Sequence, residues 1–423
     1  MIKVTKRGLN MTNQHMIKTL IGLKDNPRVC VYTEPLWSIP FYLFIPYASL
    51  YMLALGVSKI QLGHIITIGM ISQVIFSLLG GVITDKLGRK KTTFIFDVIS
   101  WGIPTFIWAI SSSYLYFAVA AAINGVFRVT ANSWVCLLVE DAKEDKLVSI
   151  FSWIHITGLA AAFFSPLTGL FVKTYDLVPT IRVIYFIAFV SMMAKFIILN
   201  VVAKETATGI KRMEETKEDS LVKLLQGYLE IFKQIVSNPK TIFTLSILVV
   251  LSIVNTINGT FWSVIITEKI RVGEEYIGIL IAIKSFMMMV IYLFIIPKIN
   301  VFRFKKPLLL GVLILIISQT LIVITPVNMY VIVVISIILE AISLALINPL
   351  MDSLQVVMID KKERARIMAI IYTIVILLTS PFGSLAGYLS SLDLRYPFLL
   401  NIILLVVGLA VIFTTIHSEV ESE

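Results

Sequence analysis

Eight ionisable side chains stand inside long apolar runs of this chain: Glu34, His64, Asp97, Arg128, His155, Lys195, Lys284 and Glu340. A charge in such surroundings is costly, and it marks a ligand or ion pathway, a proton relay or a paired network. Glu340 is the first candidate for a proton carrier, because a carboxyl can take up and release a proton and a nearby cation such as Lys284 would tune it. The alternative is a permanent structural pair with Lys284. Arg128 keeps its proton at all relevant pH, so it would act as counter-charge or substrate anchor. Glu34, followed by Pro35, lies within about one turn of the expected inner end of its run, and His155 could either titrate or make a packing hydrogen bond. His64 is close to the outer surface. Asn255, Asn258 and Thr260, with Asn124 and Asn132, offer amide and hydroxyl groups to an amphipathic ligand, although helix-packing amides look the same.

A second cluster is GGVITDKLGRKK, residues 80–91, with five charges among twelve residues. Lysines alone would merely hold a loop on one side of a membrane. An Asp and well-placed glycines ask for more: Gly81 permits close helix approach, Asp85 can accept from a neighbouring helix N-terminus, and Gly88 allows a tight turn before Arg89.

The elements that must position these groups follow from composition. The 423 residues are 58% hydrophobic and only 15% charged, with a mean hydropathy of +0.92, which does not suit a water-facing surface. About twelve runs are long enough to cross the hydrocarbon as helices, expected at 32–55, 60–83, 92–111, 114–138, 147–172, 180–202, 241–266, 275–297, 306–325, 328–350, 364–389 and 396–415. Lipid offers no hydrogen bonds to a bare backbone, so an all-α membrane protein is expected. The net charge of +10 is a topology signal rather than a nucleic-acid footprint. Most Lys and Arg fall before the first run or in alternate loops, which places both termini on the cytoplasmic side, and no compact basic domain exists to bind nucleic acid. Cys30 and Cys136 suggest neither a disulfide framework nor a metal site. The basic N-terminal segment lacks the apolar core of a cleavable signal peptide.

The chain reads as a doubled unit. Asn26-Pro27-Arg28 recurs as Asn238-Pro239-Lys240, the context of Gly63 as that of Gly278, Arg182 as Arg395, and FSPLTG at Pro166 as TSPFGS at Pro381. Four ordered matches at one nearly constant spacing make an internal repeat, and an even number of spans per unit makes the repeats parallel. The expected organisation is a cytoplasmic segment 1–28, six-helix bundles 29–202 and 239–415, a linker 203–238 and a tail 416–423. Within the linker, KRMEETKED at 211–219 reads as solvated chain, and the apolar periodicity of 221–236 predicts a surface-lying amphipathic helix.

Twelve spans in two parallel sixes, a long central loop and G-x-x-x-D-K-x-G-R-K between the second and third spans resemble the major facilitator superfamily, and its drug/proton antiporter-like members most of all. Gly81, Asp85, Gly88, Arg89 and Lys90 carry the match, with Lys86 where Arg is commoner. The resemblance implies a cytoplasmic gate in which Asp85 caps the start of the eleventh span near Arg364, while Arg89 reaches Glu140 or Asp141. It also implies that spans 1, 2, 4, 5, 7, 8, 10 and 11 line a central cavity, which puts Glu34, Arg128, Lys284 and Glu340 in reach of it. Pro166 with Gly169, and Pro381 with Gly383 and Gly387, would bend and pack the fifth and eleventh spans. The export pattern around the fifth-span Pro is half present, since Ser165 replaces a Gly.

No G-x-x-x-x-G-K-[ST] supports a pump, and no H-E-x-x-H or plausible metal set supports an enzyme, so neither cofactor nor metal is expected. The leading expectation is a monomeric secondary transporter of the cytoplasmic membrane, driven by a proton gradient and exporting small amphipathic compounds. Uptake of a nutrient or metabolite is the runner-up, and a non-transporting sensor or scaffold is the reading from another class.

Overall fold

The computed structural model describes residues 20–142, 147–218, 239–295, 305–357 and 364–420. Among them there is no strand, and 12 helices are long and apolar enough to cross a membrane. These are numbered α1 to α12: Asp25–Ala54, Lys59–Leu87, Arg89–Ile110, Tyr114–Val139, Ile150–Tyr175, Leu177–Val202, Ile242–Lys269, Glu274–Tyr292, Lys306–Ile324, Tyr330–Met351, Ile370–Leu392 and Tyr396–Phe413. They form two parallel six-helix repeats, a bundle in which helices satisfy most backbone groups internally.

The interruptions have local causes. Pro46 sits in a 3₁₀ turn, Ile45–Tyr47, within α1. A π turn, Val98–Gly102, follows Asp97 in α3. α5 breaks at Phe163 and Phe164 and restarts at Ser165, with Pro166 in the first turn, where its missing N–H costs nothing. Pro381, its counterpart, lies inside a continuous helix. α2 starts on a capping box between Ser58 and Gln61. It ends at Gly88, whose φ of +83° turns the chain into α3.

The bundle has a linker face, where the chain leaves α6 for the second half, and an opposite, far face. The halves meet tightly towards the far face, in two seams related by the repeat. A Cβ added to Gly63 of α2 would lie 2.5 Å from the Gly383 carbonyl oxygen and 2.9 Å from Gly387 Cα in α11. Likewise a Cβ on Gly278 of α8 would lie 2.3 Å from the Ser165 carbonyl oxygen, and one on Gly169 would lie 2.1 Å from that of Glu275. Thr67 stitches the first seam, donating to the Ser380 carbonyl at 2.8 Å and accepting from the Ser384 N–H at 2.9 Å. In the second, the Gly278 N–H donates to the Tyr47 hydroxyl at 2.9 Å. Lys59 and Glu268 add an ion pair of 2.7 Å between α2 and α7. Deeper in the bundle, the Ser77 and Thr373 hydroxyls, 2.7 Å apart, add a further link between α2 and α11.

The expected amphipathic helix at 221–236 lies outside the described residues. The charge run before it is not simple solvated chain: Ala207–Glu215 is a short helix. Lys211 and Arg212 do face solvent, but Thr216 is buried and donates to the Asp85 carbonyl at 3.3 Å.

Candidate functional site

In the second half, α8 and α10 bring Lys284 Nζ to 2.9 Å from Glu340 Oε1. Glu340 is 3% exposed; the Lys284 side chain keeps 24% of its surface open. The same carboxylate oxygen accepts from Asn258 Nδ2 at 3.1 Å. Behind it, Asn401 Nδ2 donates to Asn258 Oδ1 at 2.9 Å and to Gln319 Oε1 at 3.1 Å. One polar chain thus joins α8, α10, α7, α12 and α9 in otherwise apolar packing. Asn258, expected to face the cavity, is turned into this network instead, because an unpaired amide against Glu340 would cost more than one bonded to it. Asn255, one turn away, is exposed, and so is Gly259, where an added Cβ would meet nothing within 4 Å. The only other described exposed residues of α7 stand near its ends, Ile242 and Glu268. A mid-span face open at an Asn and a Gly suits an aqueous void better than lipid tails.

In the first half, Glu34 is neither open to the cavity nor interfacial. It is 7% exposed and pairs with Lys195 of α6 at 2.8 Å, an ammonium that also lies over the rings of Trp37 and Trp134 at 5.8 and 5.4 Å. The pairing follows from burial: each charge alone would be uncompensated in the bundle. Asp97 of α3 accepts from the Thr130 hydroxyl at 2.7 Å. Arg128 on α4 reaches Gln73 of α2, its Nε donating to Oε1 at 3.1 Å, and stacks over Phe127. It meets no carboxylate among the described residues. His155 is exposed one turn from Phe151, while His64 shares an exposed stripe with Ile60, Ile71 and Ile75.

At the linker face, Arg89 is the hub of the GGVITDKLGRKK cluster. Its Nε and Nη2 engage Glu140 at 3.1 Å, and Nη1 reaches Asp85 at 3.0 Å. Of the two expected acids, Glu140 is therefore the partner. Asp141 instead accepts from Asn26 at 2.9 Å, and burial holds its carboxyl above the usual range against the lowering effect of that bond. Asp85 accepts from Arg89 within its own loop motif; the expected partner at the start of the eleventh span, Arg364, has its side chain outside the described residues. The close approach to α4 is made by Gly80, where a Cβ would stand 3.2 Å from the Arg128 carbonyl oxygen.

Glu205, in the linker, carries no signal in the loop motif. Its carboxylate accepts from the N–H groups of Arg89, Lys90 and Thr206, each at 3.0 Å. It caps the start of α3, whose orphan N–H groups and positive dipole end favour an anion. The adjacent Thr206 hydroxyl donates to Glu140. Gln319 and Asn401 also went unread, yet each stands out as a lone amide in an aliphatic run, ILIISQTLIVI and FLLNIILLVV.

Residues 38–261 and 244–422 match the Major Facilitator Superfamily. The chain belongs to that superfamily and is a membrane transporter of its type. No curated protein sequence matches it. Among solved structures it is similar to the nucleoside transporter NupG, at 14% identity and a TM-score of 0.71, covering 92% of this chain and 99% of that one. It is also similar to a POT family transporter in complex with 5-aminolevulinic acid, at 14% identity and 0.69, covering 92% and 95%. A bacterial homologue of the human lysosomal transporter Spinster, inward-facing and unoccupied, aligns at 13% identity and 0.67 over 95% and 97%. Identities this low show the fold alone.

Proposed function

We propose that the protein is a proton-coupled secondary transporter of small amphipathic compounds, working by alternating access and exporting across the cytoplasmic membrane. The linker face would be the cytoplasmic side, as the positive-inside distribution favours. The observation that carries the reading is the Lys284 and Glu340 pair. A carboxylate this deeply buried must be neutralised, either by the ammonium 2.9 Å away or by a proton. Exchange between those two partners would couple proton movement to rearrangement of α8 against α10.

Arg128 supports a role for the opposite bundle in holding substrate, because its guanidinium, held by Gln73, has donors left for an anionic or strongly polar group. Asn255 and Gly259 would give the substrate a polar, roomy wall. With the far-face seams closed, access would be from the cytoplasm. Asp85, held by Arg89 at 3.0 Å, would belong to the gate on that side.

The test is flux in proteoliposomes under an imposed pH gradient, with cationic, neutral and anionic compounds. Antiport predicts accumulation in inside-out vesicles with an acidic lumen. Glu340→Gln should abolish the gradient-driven component while leaving equilibrative exchange, and Arg128→Ala should reduce flux of compounds bearing an anionic group most. Undiminished gradient-driven flux in Glu340→Gln refutes the proton assignment. Accumulation only when the outside is acidic reverses the direction to uptake.

A further inference from the structure

Glu34, Asp97 and Lys195 form a second buried titratable cluster in the first half, where Glu34 of α1 turns back to α3 and α6, two helices the cavity reading does not use. Glu34 and Asp97 are each 7% exposed and Lys195 is 5% exposed. Their depths agree: counted from the linker-face ends of α1, α3 and α6, they lie roughly 10 to 14 Å into the bundle. The second-half pair is neutral, with one acid and one base. Here two acids share one base. Lys195 is committed to Glu34 at 2.8 Å, and Asp97 has a neutral hydroxyl, Thr130, at 2.7 Å. With all three ionised, the cluster would hold an uncompensated negative charge away from water, which is strongly unfavourable.

The neighbours on the other sides do not supply the missing positive charge. α1 adds only the buried Cys30 thiol near Asp97. α4 presents Thr130 and Ser133, and α6 presents Lys195. Of the charges on α2 and α4, Asp85 and Glu140 are held by Arg89, and Arg128 is turned to Gln73 of α2.

Arg89, Thr93 and Asp97 are spaced by four on α3 and share one face, and each has a polar partner. Arg89 engages Glu140 at the linker face, Thr93 and Ser133 are 2.8 Å apart, and Asp97 receives Thr130. The result is a three-rung polar ladder between α3 and α4, climbing about 6 Å per rung from the gate to the cluster. A π turn begins immediately beyond its top rung, a feature that recurs at functional positions in helices.

We propose that Asp97 is a proton-binding site of the N-terminal half, loaded and emptied from the linker face along the Thr93 and Ser133 ladder. The transporter then carries one titratable site in each half. Loading converts the Asp97 carboxylate to a carboxylic acid with a proton drawn from water at the linker face, and the cluster becomes neutral with the Glu34 and Lys195 pair intact. The site stands apart from the proton role given to Glu340 and survives its failure.

The experiment is infrared titration of the full-length protein in lipid, in a Glu340→Gln background so that the other candidate is silent. A protonated-carboxyl band that appears as pH falls is expected in the parent, retained in Asp97→Glu and lost in Asp97→Asn. Lys195→Gln leaves two acids without a base, and the band should grow about twofold as both are neutralised. This second variant decides the matter should Asp97→Asn fail to fold. A parent without a titrating band, a folded Asp97→Asn that keeps the band, or a Lys195→Gln whose band is unchanged each overturns the assignment.

Discussion

Replacing Gly63 with alanine perturbs the fold at one atom, and its effect can be worked from the seam between α2 and α11. The new methyl would stand 2.5 Å from the Gly383 carbonyl oxygen and 2.9 Å from Gly387 Cα. All of these are backbone atoms, so no side chain can rotate away and the helices themselves must separate. Overpacking of this kind costs about 1 to 3 kcal/mol. Alanine also gains about 1 kcal/mol of helix propensity over glycine, but α2 is helical whichever face is closed, so that gain cancels in the balance between conformers. The net effect is a loss of about 5- to 150-fold in the population of the far-face-closed state. Spin labels on Ser112→Cys and Val327→Cys, exposed far-face positions in opposite halves, would report it by pulsed electron resonance in a background lacking Cys30 and Cys136. Gly63→Ala should shift the distance distribution towards longer separations. Gly259→Ala, in open space, should leave it unchanged. An unshifted distribution in a folded Gly63→Ala protein would show that the seam does not set which face is closed.

Two further outcomes follow from groups near the membrane surface. Glu205→Ala uncaps α3 and releases the linker, at about 1 to 2 kcal/mol, so trypsin should cut at Lys211 or Arg212 roughly tenfold faster; unchanged cleavage removes Glu205 from the docking. On the far-face turn, Arg395 hydrogen bonds hold the Asp393 carboxyl down at about 2. A depressed acid contributes stability above its ordinary range and loses it as pH falls towards about 2. The melting difference between wild type and Asp393→Asn should therefore be present at neutral pH and vanish in strong acid; a difference that persists there contradicts this origin.

The sequence announces spans well because hydrocarbon thickness imposes one length on each, and the structure differs mainly at helix ends. It announces partners poorly. Lys284 and Glu340 stand at compatible depths, whereas the Glu34 and Lys195 contact depends on the rotation of α1 and α6 about their axes, which hydropathy leaves free. The same freedom hid which of Asn255 and Asn258 faces open space. Arg89 was legible because loop chemistry is local; its cap, Glu205, is more than a hundred residues away along the chain and invisible to any local pattern.

The internal repeat separates what the scaffold needs from what the chemistry needs. Gly63 and Gly278 recur in register, and both seal a far-face seam against a partner helix. The buried charges do not recur: at the same spacing Asp97 faces Val312, Lys195 faces Ala410, Lys284 faces Gly69 and Glu340 faces Gly125. A fold that can be built twice from one plan, once without each charge, does not require those charges to stand. Yet each half keeps a buried polar network that extends onto outer helices, through Asp97 and Lys195 in the first and Gln319 and Asn401 in the second. Retaining such groups at a desolvation cost of several kcal/mol per ion argues that each network answers to the transport cycle rather than to folding. It also argues that the two halves answer differently, one through a neutral pair and the other through a cluster one positive charge short.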